Sequence, residues 1–362
     1  MFKFEQLERI HLEITSNCQA SCPMCPRNFH GGIENPNLVL ADWSLDDFKF
    51  IFNKELLFQL KGFYFCGNFG DPILNDNLID MVAYAAQVNP NTGIRIHTNG
   101  GARKTDWWER LAKALPKKHS VHFALDGLED TQHLYRIGTT YDTVVRNAKA
   151  FIDAGGKATW TFIRFKHNEH QVEEAQRRAK ELGFENFIVK NTTRFTGGAN
   201  KFEVYDKKGN VTHYLEPPSN NKIHQNDTTV IEKHQEFIQK TTVNCMVLEQ
   251  KEIYIDAFKR VYPCCFLALP TMRKPPEHDH PSPKVICDQY GQYIERVSET
   301  NDATKKSIRD ILNGNVWQDI DWHKEYWGDE KLFICARTCG KTELVPTVDQ
   351  SFLKETRNLK ST

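Results

Sequence analysis

Residues 8–25 read Glu8-Arg9-Ile10-His11-Leu12-Glu13-Ile14-Thr15-Ser16-Asn17-Cys18-Gln19-Ala20-Ser21-Cys22-Pro23-Met24-Cys25. Glu8–Thr15 is a short β-type run, and the loop after it carries three cysteines spaced CxxxCxxC. Three thiolates in one loop can hold three irons of a four-iron cluster, leaving the fourth iron open to a ligand that is not protein. A zinc knuckle is the other use of such a loop, and it would take His30 as its fourth ligand.

Outward from this unit the same alternation repeats. Further strands are expected at Gly62–Cys66, Ile94–His97, Ser120–Leu125, Thr159–Arg164 and Asn186–Val189. Helical patterns fall between them at Leu45–Leu57, Leu78–Val88, Asp106–Leu115, Tyr141–Ala154 and Val172–Leu182. Strand–helix repetition implies a parallel sheet with helices outside, and six units make three-quarters of an eight-fold barrel. The fold class is therefore α/β: a partial (β/α)6 TIM-type barrel whose functional loops follow the strand ends. The core is expected over residues 1–191. Residues 192–243, with Gly197-Gly198, Gly209-Asn210 and Pro217-Pro218, read as a linker or insertion. A small C-terminal domain, a β-hairpin near Ile253–Tyr262 plus a helix, is expected over 244–345, followed by a tail at 346–362.

Composition narrows the setting. Lys+Arg and Asp+Glu both total 47, so no net charge drives binding to nucleic acid or anionic membranes. No signal-peptide core opens the sequence and no run approaches a membrane span, which makes the cytoplasm the expected location. Ten cysteines in such a chain read as metal sites, because the cytosol keeps thiols reduced.

Three more segments follow the predicted strands in order: Gly67-Asn68-Phe69-Gly70-Asp71, Thr98-Asn99-Gly100 and Leu125-Asp126-Gly127, with Arg136-Ile137-Gly138 downstream. Together with CxxxCxxC they resemble the radical S-adenosylmethionine (SAM) superfamily over roughly residues 8–190. The resemblance implies that Cys18, Cys22 and Cys25 hold a catalytic [4Fe-4S] cluster whose open iron is chelated by SAM. It further implies that the reduced cluster cleaves SAM to a 5′-deoxyadenosyl radical. Phe69, Gly70 and Asp71 stand where the family binds the SAM amino group, Thr98 and Asn99 where it lines the ribose, and Asp126 in its Ser-x-Asp-Gly segment. Arg136 is placed to pair with the SAM carboxylate, as a guanidinium suits a carboxylate. Met24 takes a usually aromatic position, where its polarizable side chain can pack on adenine. An electron donor such as flavodoxin or ferredoxin is implied as a partner.

Cys245, Cys264, Cys335 and Cys339 supply four thiolates around the hairpin and final helix, the number a closed four-iron site needs. This order resembles the one-cluster Twitch form of the SPASM/Twitch auxiliary domain, implying one auxiliary [4Fe-4S] cluster. A four-thiolate zinc site is the alternative, and Cys265 could replace Cys264 as ligand. Cys66 and Cys287 have no partner spacing and read as a core thiol and a loop residue. The expected function is hydrogen abstraction from a peptide or protein residue. Radical dehydrogenation of a small molecule such as an amino sugar is the runner-up, and a non-catalytic iron–sulfur or zinc protein the contrasting class.

Overall fold

The computed structural model describes residues 1–192, 194–195, 201–219, 234–268, 300–318, 327–328, 331–341 and 354–359. Among them, nine strands form one sheet in the order β13-β12-β1-β4-β5-β6-β7-β8-β15. These are β1 (Arg9–Leu12), β4 (Gly62–Phe65), β5 (Gly93–Thr98), β6 (His119–Ala124), β7 (Ala158–Arg164), β8 (Asn186–Asn191), β12 (Glu252–Ile255), β13 (Val261–Tyr262) and β15 (Lys354–Asn358). From β12 to β8 every neighbouring pair is parallel, while β13 and β15 close the two edges antiparallel. The α/β partial barrel is the observed fold. Smaller antiparallel ribbons pair β2 (Asn28–Phe29) with β3 (Ile33–Glu34), β9 (Phe202–Tyr205) with β10 (Val211–Leu215), and β11 (Thr242–Val243) with β14 (Gly340–Lys341). No helix among the described residues is long and apolar enough to cross a membrane.

Alternation along each strand sorts the two sheet faces. Ile10, Leu12, Phe63, Phe65, Ile94, Ile96, Val121 and Phe123 lie in one buried cluster with apolar residues of α3 (Leu78–Val88), α4 (Thr105–Ala114), α5 (Tyr141–Asp153) and α6 (Val172–Glu181). The other face is polar. His11 stacks on Tyr64 at 4.6 Å and meets Tyr254 edge-on at 4.8 Å, and His97 lies 4.5 Å from His122 across the β5–β6 register. Burial pushes His11 down to about 4, against the pull of the Cys66 carbonyl, so its imidazole is neutral at pH 7.

Three expectations change. The single helix read over Leu45–Leu57 is two, α1 (Leu45–Ile51) and α2 (Lys54–Gln59), because Phe52 leaves helical geometry and Asn53 caps the second by accepting from Leu56 N. The hairpin near Ile253–Tyr262 is not set apart from the barrel. Its first strand pairs with β1, and Ile253 and Ile255 join the barrel core. The segment 346–362, read as a tail, contributes β15, which pairs with β8 over five residues. Within 192–243 lies the β9–β10 ribbon, which packs on His30: Tyr205 N donates to the His30 carbonyl at 2.9 Å, and the His30 ring stacks on Phe202 at 4.4 Å.

The turn between β12 and β13 is built on Asp256, whose Oδ1 accepts from Phe258 N and Arg260 N at 2.9 and 2.8 Å. Its Oδ2 has no hydrogen-bond partner among the described residues, and Arg260 Nε stands 3.7 Å away. Burial therefore pushes the Asp256 carboxyl up to about 7 despite those amides. A carboxyl raised on folding favours the folded state while it is protonated. That contribution is complete below the unfolded value near ~3.9 and is lost as pH rises toward 7. Wild-type stability should accordingly fall between pH 4 and pH 7 more steeply than that of Asp256→Asn, and the variant should be the more stable at pH 8. Urea midpoints at pH 5 and pH 8 measure the difference, and parallel curves would remove Asp256 as the cause.

Candidate functional site

The loops after β1, β4, β5 and β6 interlock at one edge of the sheet. The cysteine loop is held from beneath: Ser21 N donates to the Ile137 carbonyl at 2.8 Å, and a Cβ on Gly138 would stand 2.8 Å from the Gln19 carbonyl. Gly138 also has φ +89°, a conformation that favours glycine. Gly70 passes still closer, since a Cβ there would lie 1.9 Å from the Thr15 carbonyl. Only glycine fits that crossing, and this is what brings the loop after β4 against the loop after β1.

Cys22 is buried, while Cys18 and Cys25 are half-buried. Burial raises the Cys18 thiol pKa, and the negative groups of Asp71, Cys22 and Cys25 add to the rise. Burial also raises that of Cys22, against the nearby Arg136 guanidinium, whose Nη1 is 3.7 Å from the Cys22 Sγ. Such thiols need added positive charge to ionise, which iron would bring. Among the described residues no three Cys, His, Asp or Glu side chains are gathered as ligands of a single ion. The donor set is nevertheless the kind a cluster takes: three thiols of one loop, within electrostatic reach of one another, beside a cation. His30, the fourth ligand a zinc knuckle would need, is held in the β9 stack with its Nδ1 2.8 Å from the Glu203 carbonyl oxygen.

The expected SAM residues surround this loop in different ways. Asp71 is buried; its Oδ2 accepts from Asn99 N at 2.7 Å and its Oδ1 from Ile73 N at 3.2 Å. Thr98 also bonds to it, so a carboxylate with about four lone-pair positions keeps one to spare. Asn99 reaches the cysteine loop, accepting from Gln19 Nε2 at 2.6 Å and pointing its own Nδ2 at Cys18 Sγ, 3.6 Å away. Arg136 is anchored by Asp126, whose Oδ2 accepts from its Nε at 2.6 Å. Asp126 is fully buried and also accepts from Ile163 N at 2.6 Å, so it touches the site through Arg136. Burial works against the Arg136 charge, but Asp126, Cys22 and Tyr135 outweigh it and hold its pKa well above the ordinary value. Phe69 and Thr98 are turned inward, and Met24 packs in a small apolar cluster with Tyr135, Phe165 and Phe195.

Sequence reading passed over four residues that shape this edge. Glu13 accepts from Phe69 N and Gly70 N at 2.8 and 3.0 Å, and a charged residue late in the predicted run Glu8–Thr15 was its signal. Gln19 holds Asn99, and Arg194 donates to the Met24 carbonyl at 2.9 Å. Asn68 donates to Tyr254 and to the Cys265 carbonyl, a bond no local pattern announces.

The second thiol group lines one largely apolar cavity: Cys245, Cys264, Cys265, Cys335 and Cys339. Cys339 donates to Cys245, which lowers the Cys245 pKa and raises that of Cys339. Burial pushes Cys264 and Cys335 each up to about 12, and each feels Cys245. Cys265 has different company; beyond the burial that raises it and adjoining Cys264, its neighbours are Cys66 and Glu252. Cys66 is a half-buried thiol on the Cys265 side, and Cys287 lies outside the described residues.

Comparison with known proteins bears on the fold. A tungsten-containing aldehyde ferredoxin oxidoreductase cofactor-modifying protein of Pyrococcus furiosus is 26% identical over 215 residues, 57% of this chain and 57% of that protein. The chain thus spans little more than half the length of this curated relative. Among solved structures, anSMEcpe with bound AdoMet superposes with a TM-score of 0.51 at 14% identity, covering 87% of this chain and 84% of that one. The same enzyme with bound AdoMet and the Kp18Cys peptide gives 0.50 at 14% identity, covering 87% of each chain. These structures share the fold. Residues 12–174, the segment that carries the four strand-end loops described above, match the family model of the radical SAM superfamily.

Proposed function

We propose that the chain is a radical SAM enzyme that reductively cleaves SAM and passes the radical to a substrate, with Cys18, Cys22 and Cys25 as the ligands of its catalytic cluster. The observation that carries this reading is the three-thiol loop beside Arg136, interlocked with the loops bearing Asp71 and Asn99. Bound there, a [4Fe-4S] cluster supplies one-electron reduction of SAM. The chain's residues bind and orient. Arg136, held by Asp126, presents its remaining N–H groups to the SAM carboxylate, Asp71 offers its spare lone pair to the amino group, and Asn99 lies toward the ribose. Met24 and its apolar neighbours offer a dry wall for adenine.

For residues 244–345 we propose an auxiliary module on the barrel sheet, with Cys245, Cys264, Cys335 and Cys339 ligating one closed [4Fe-4S] cluster. The mutual neighbourhood of these four supports it, and the different company of Cys265 favours Cys264 as the ligand. Four thiolates would leave no iron free, so these residues would hold a cluster suited to electron transfer and closed to substrate. Flavodoxin or ferredoxin is the proposed donor.

A peptide or protein residue is the proposed substrate, supported by the structural likeness to anSMEcpe, which is solved with a bound peptide. The name of the Pyrococcus furiosus relative, which modifies a cofactor, supports a second reading, a small molecule as substrate. Reconstituted enzyme incubated anaerobically with SAM and host extract separates the two by whether a peptide or a small metabolite changes mass.

Replacing Cys18, Cys22 and Cys25 together with Ala should abolish 5′-deoxyadenosine formation, and residual product would sink the assignment. Wild-type protein should hold about eight irons, as two four-iron clusters require. The Cys335→Ala/Cys339→Ala protein should hold about four while still cleaving saturating SAM; zinc in place of the lost iron would overturn the auxiliary cluster. Arg136→Ala should keep both clusters and weaken SAM binding by about 1–3 kcal/mol, the size of a charge-assisted hydrogen bond. Unchanged affinity would take Arg136 out of the site.

A further inference from the structure

We propose that Glu13 is a positioning residue which, through Tyr254 and Asn68, ties the 67–70 loop to the Cys264–Cys265 turn, so that the SAM site senses the state of the C-terminal thiol site. The inference rests on the reading of the two sites given above.

Glu13 follows β1 and is 1% exposed. Its Oε1 accepts from Phe69 N and Gly70 N, the two amides that precede Asp71. Its Oε2 accepts the Tyr254 hydroxyl proton. Tyr254 lies on β12, equally buried, and its oxygen in turn accepts from Asn68 Nδ2 at 3.3 Å. The same amide group donates to the Cys265 carbonyl at 3.2 Å, and the Asn68 carbonyl stands 4.0 Å from Cys25 Sγ.

The chemistry of each member suits a link. A buried carboxylate is costly unless donors surround it, and two amides and a phenol do so here. An amide side chain has two N–H groups, enough for both Tyr254 and Cys265. Every bond in the chain joins different segments: the end of β1, the loop after β4, β12 and the turn after β13. A shift of the Cys265 carbonyl, such as loading or emptying of the neighbouring thiol site would bring, therefore moves Asn68. Phe69, Gly70 and Asp71 follow it in sequence, and Glu13 holds the first two of these.

The test uses full-length protein reconstituted anaerobically, and reads SAM affinity by equilibrium dialysis together with the electron paramagnetic resonance spectrum of the reduced N-terminal cluster with and without SAM. Tyr254→Phe keeps the ring and removes the hydroxyl. It should leave iron content unchanged, weaken SAM binding about five- to tenfold and diminish the spectral change SAM induces. Cys335→Ala/Cys339→Ala should weaken binding to a similar extent, and the combined variant no further, because two cuts in one link do not multiply. Losses that multiply, or wild-type affinity in Tyr254→Phe, would overturn the proposal. Should the double cysteine variant fail to fold, Asn68→Ala cuts the same link from the loop side and must likewise be non-additive with Tyr254→Phe. If the double variant kept all its iron, the auxiliary-cluster reading alone would fall, and the Tyr254→Phe affinity would still decide for or against positioning by Glu13.

Discussion

The carboxylate of Asp71 holds the functional edge of the sheet together. Its oxygens take Asn99 N from the loop after β5 and Ile73 N from its own turn, while its backbone N–H donates to Asn17 in the cysteine loop at 2.8 Å. Three loops from three strands thereby meet at one buried residue. Loops are ordinarily the mobile part of a barrel, and a buried carboxylate satisfied by backbone donors is what makes this set rigid. Asp126 repeats the device one strand further on, joining Arg136 to the amide of Ile163. Rigidity at these two points suits the radical chemistry proposed for the site.

The local parts of this arrangement were legible in the sequence. CxxxCxxC, Gly70-Asp71, Thr98-Asn99 and Asp126 each follow a strand within a few residues, so spacing alone set them at the same edge. The alternation of strands and helices gave the parallel order from β1 to β8 for the same reason. What spacing could not reveal is pairing across long separations. Tyr254 bonds Glu13 from 241 residues away, and β12 enters the barrel sheet beside β1 though it stands after the irregular stretch. The break at Phe52 was hidden because the apolar pattern runs on through it, and only the capping of Leu56 by Asn53 reveals two helices.

The polar face of the sheet is a second product of long-range packing. His11, Tyr64, His97, His122 and Tyr254 come from five strands, and no window of sequence contains more than one or two of them. Burial, aided by His122 and Lys190, holds His97 well below the usual imidazole value, much as it does His11. These rings can therefore crowd together at 4.5 to 4.8 Å without mutual charge repulsion.

The position of β12 bears on how the chain is made. A parallel strand needs its neighbour's edge, and β1 gains its partner on one side when β4 emerges from the ribosome, about fifty residues later. Its other edge waits for residues 252–255, nearly 190 residues further on. At elongation rates of about 5–20 residues per second, that is a delay of roughly ten to forty seconds with a row of unpaired amides and carbonyls on the edge of the growing sheet. Synthesis itself thus opens an interval in which a strand edge stands to be guarded, and it closes only when β12 arrives.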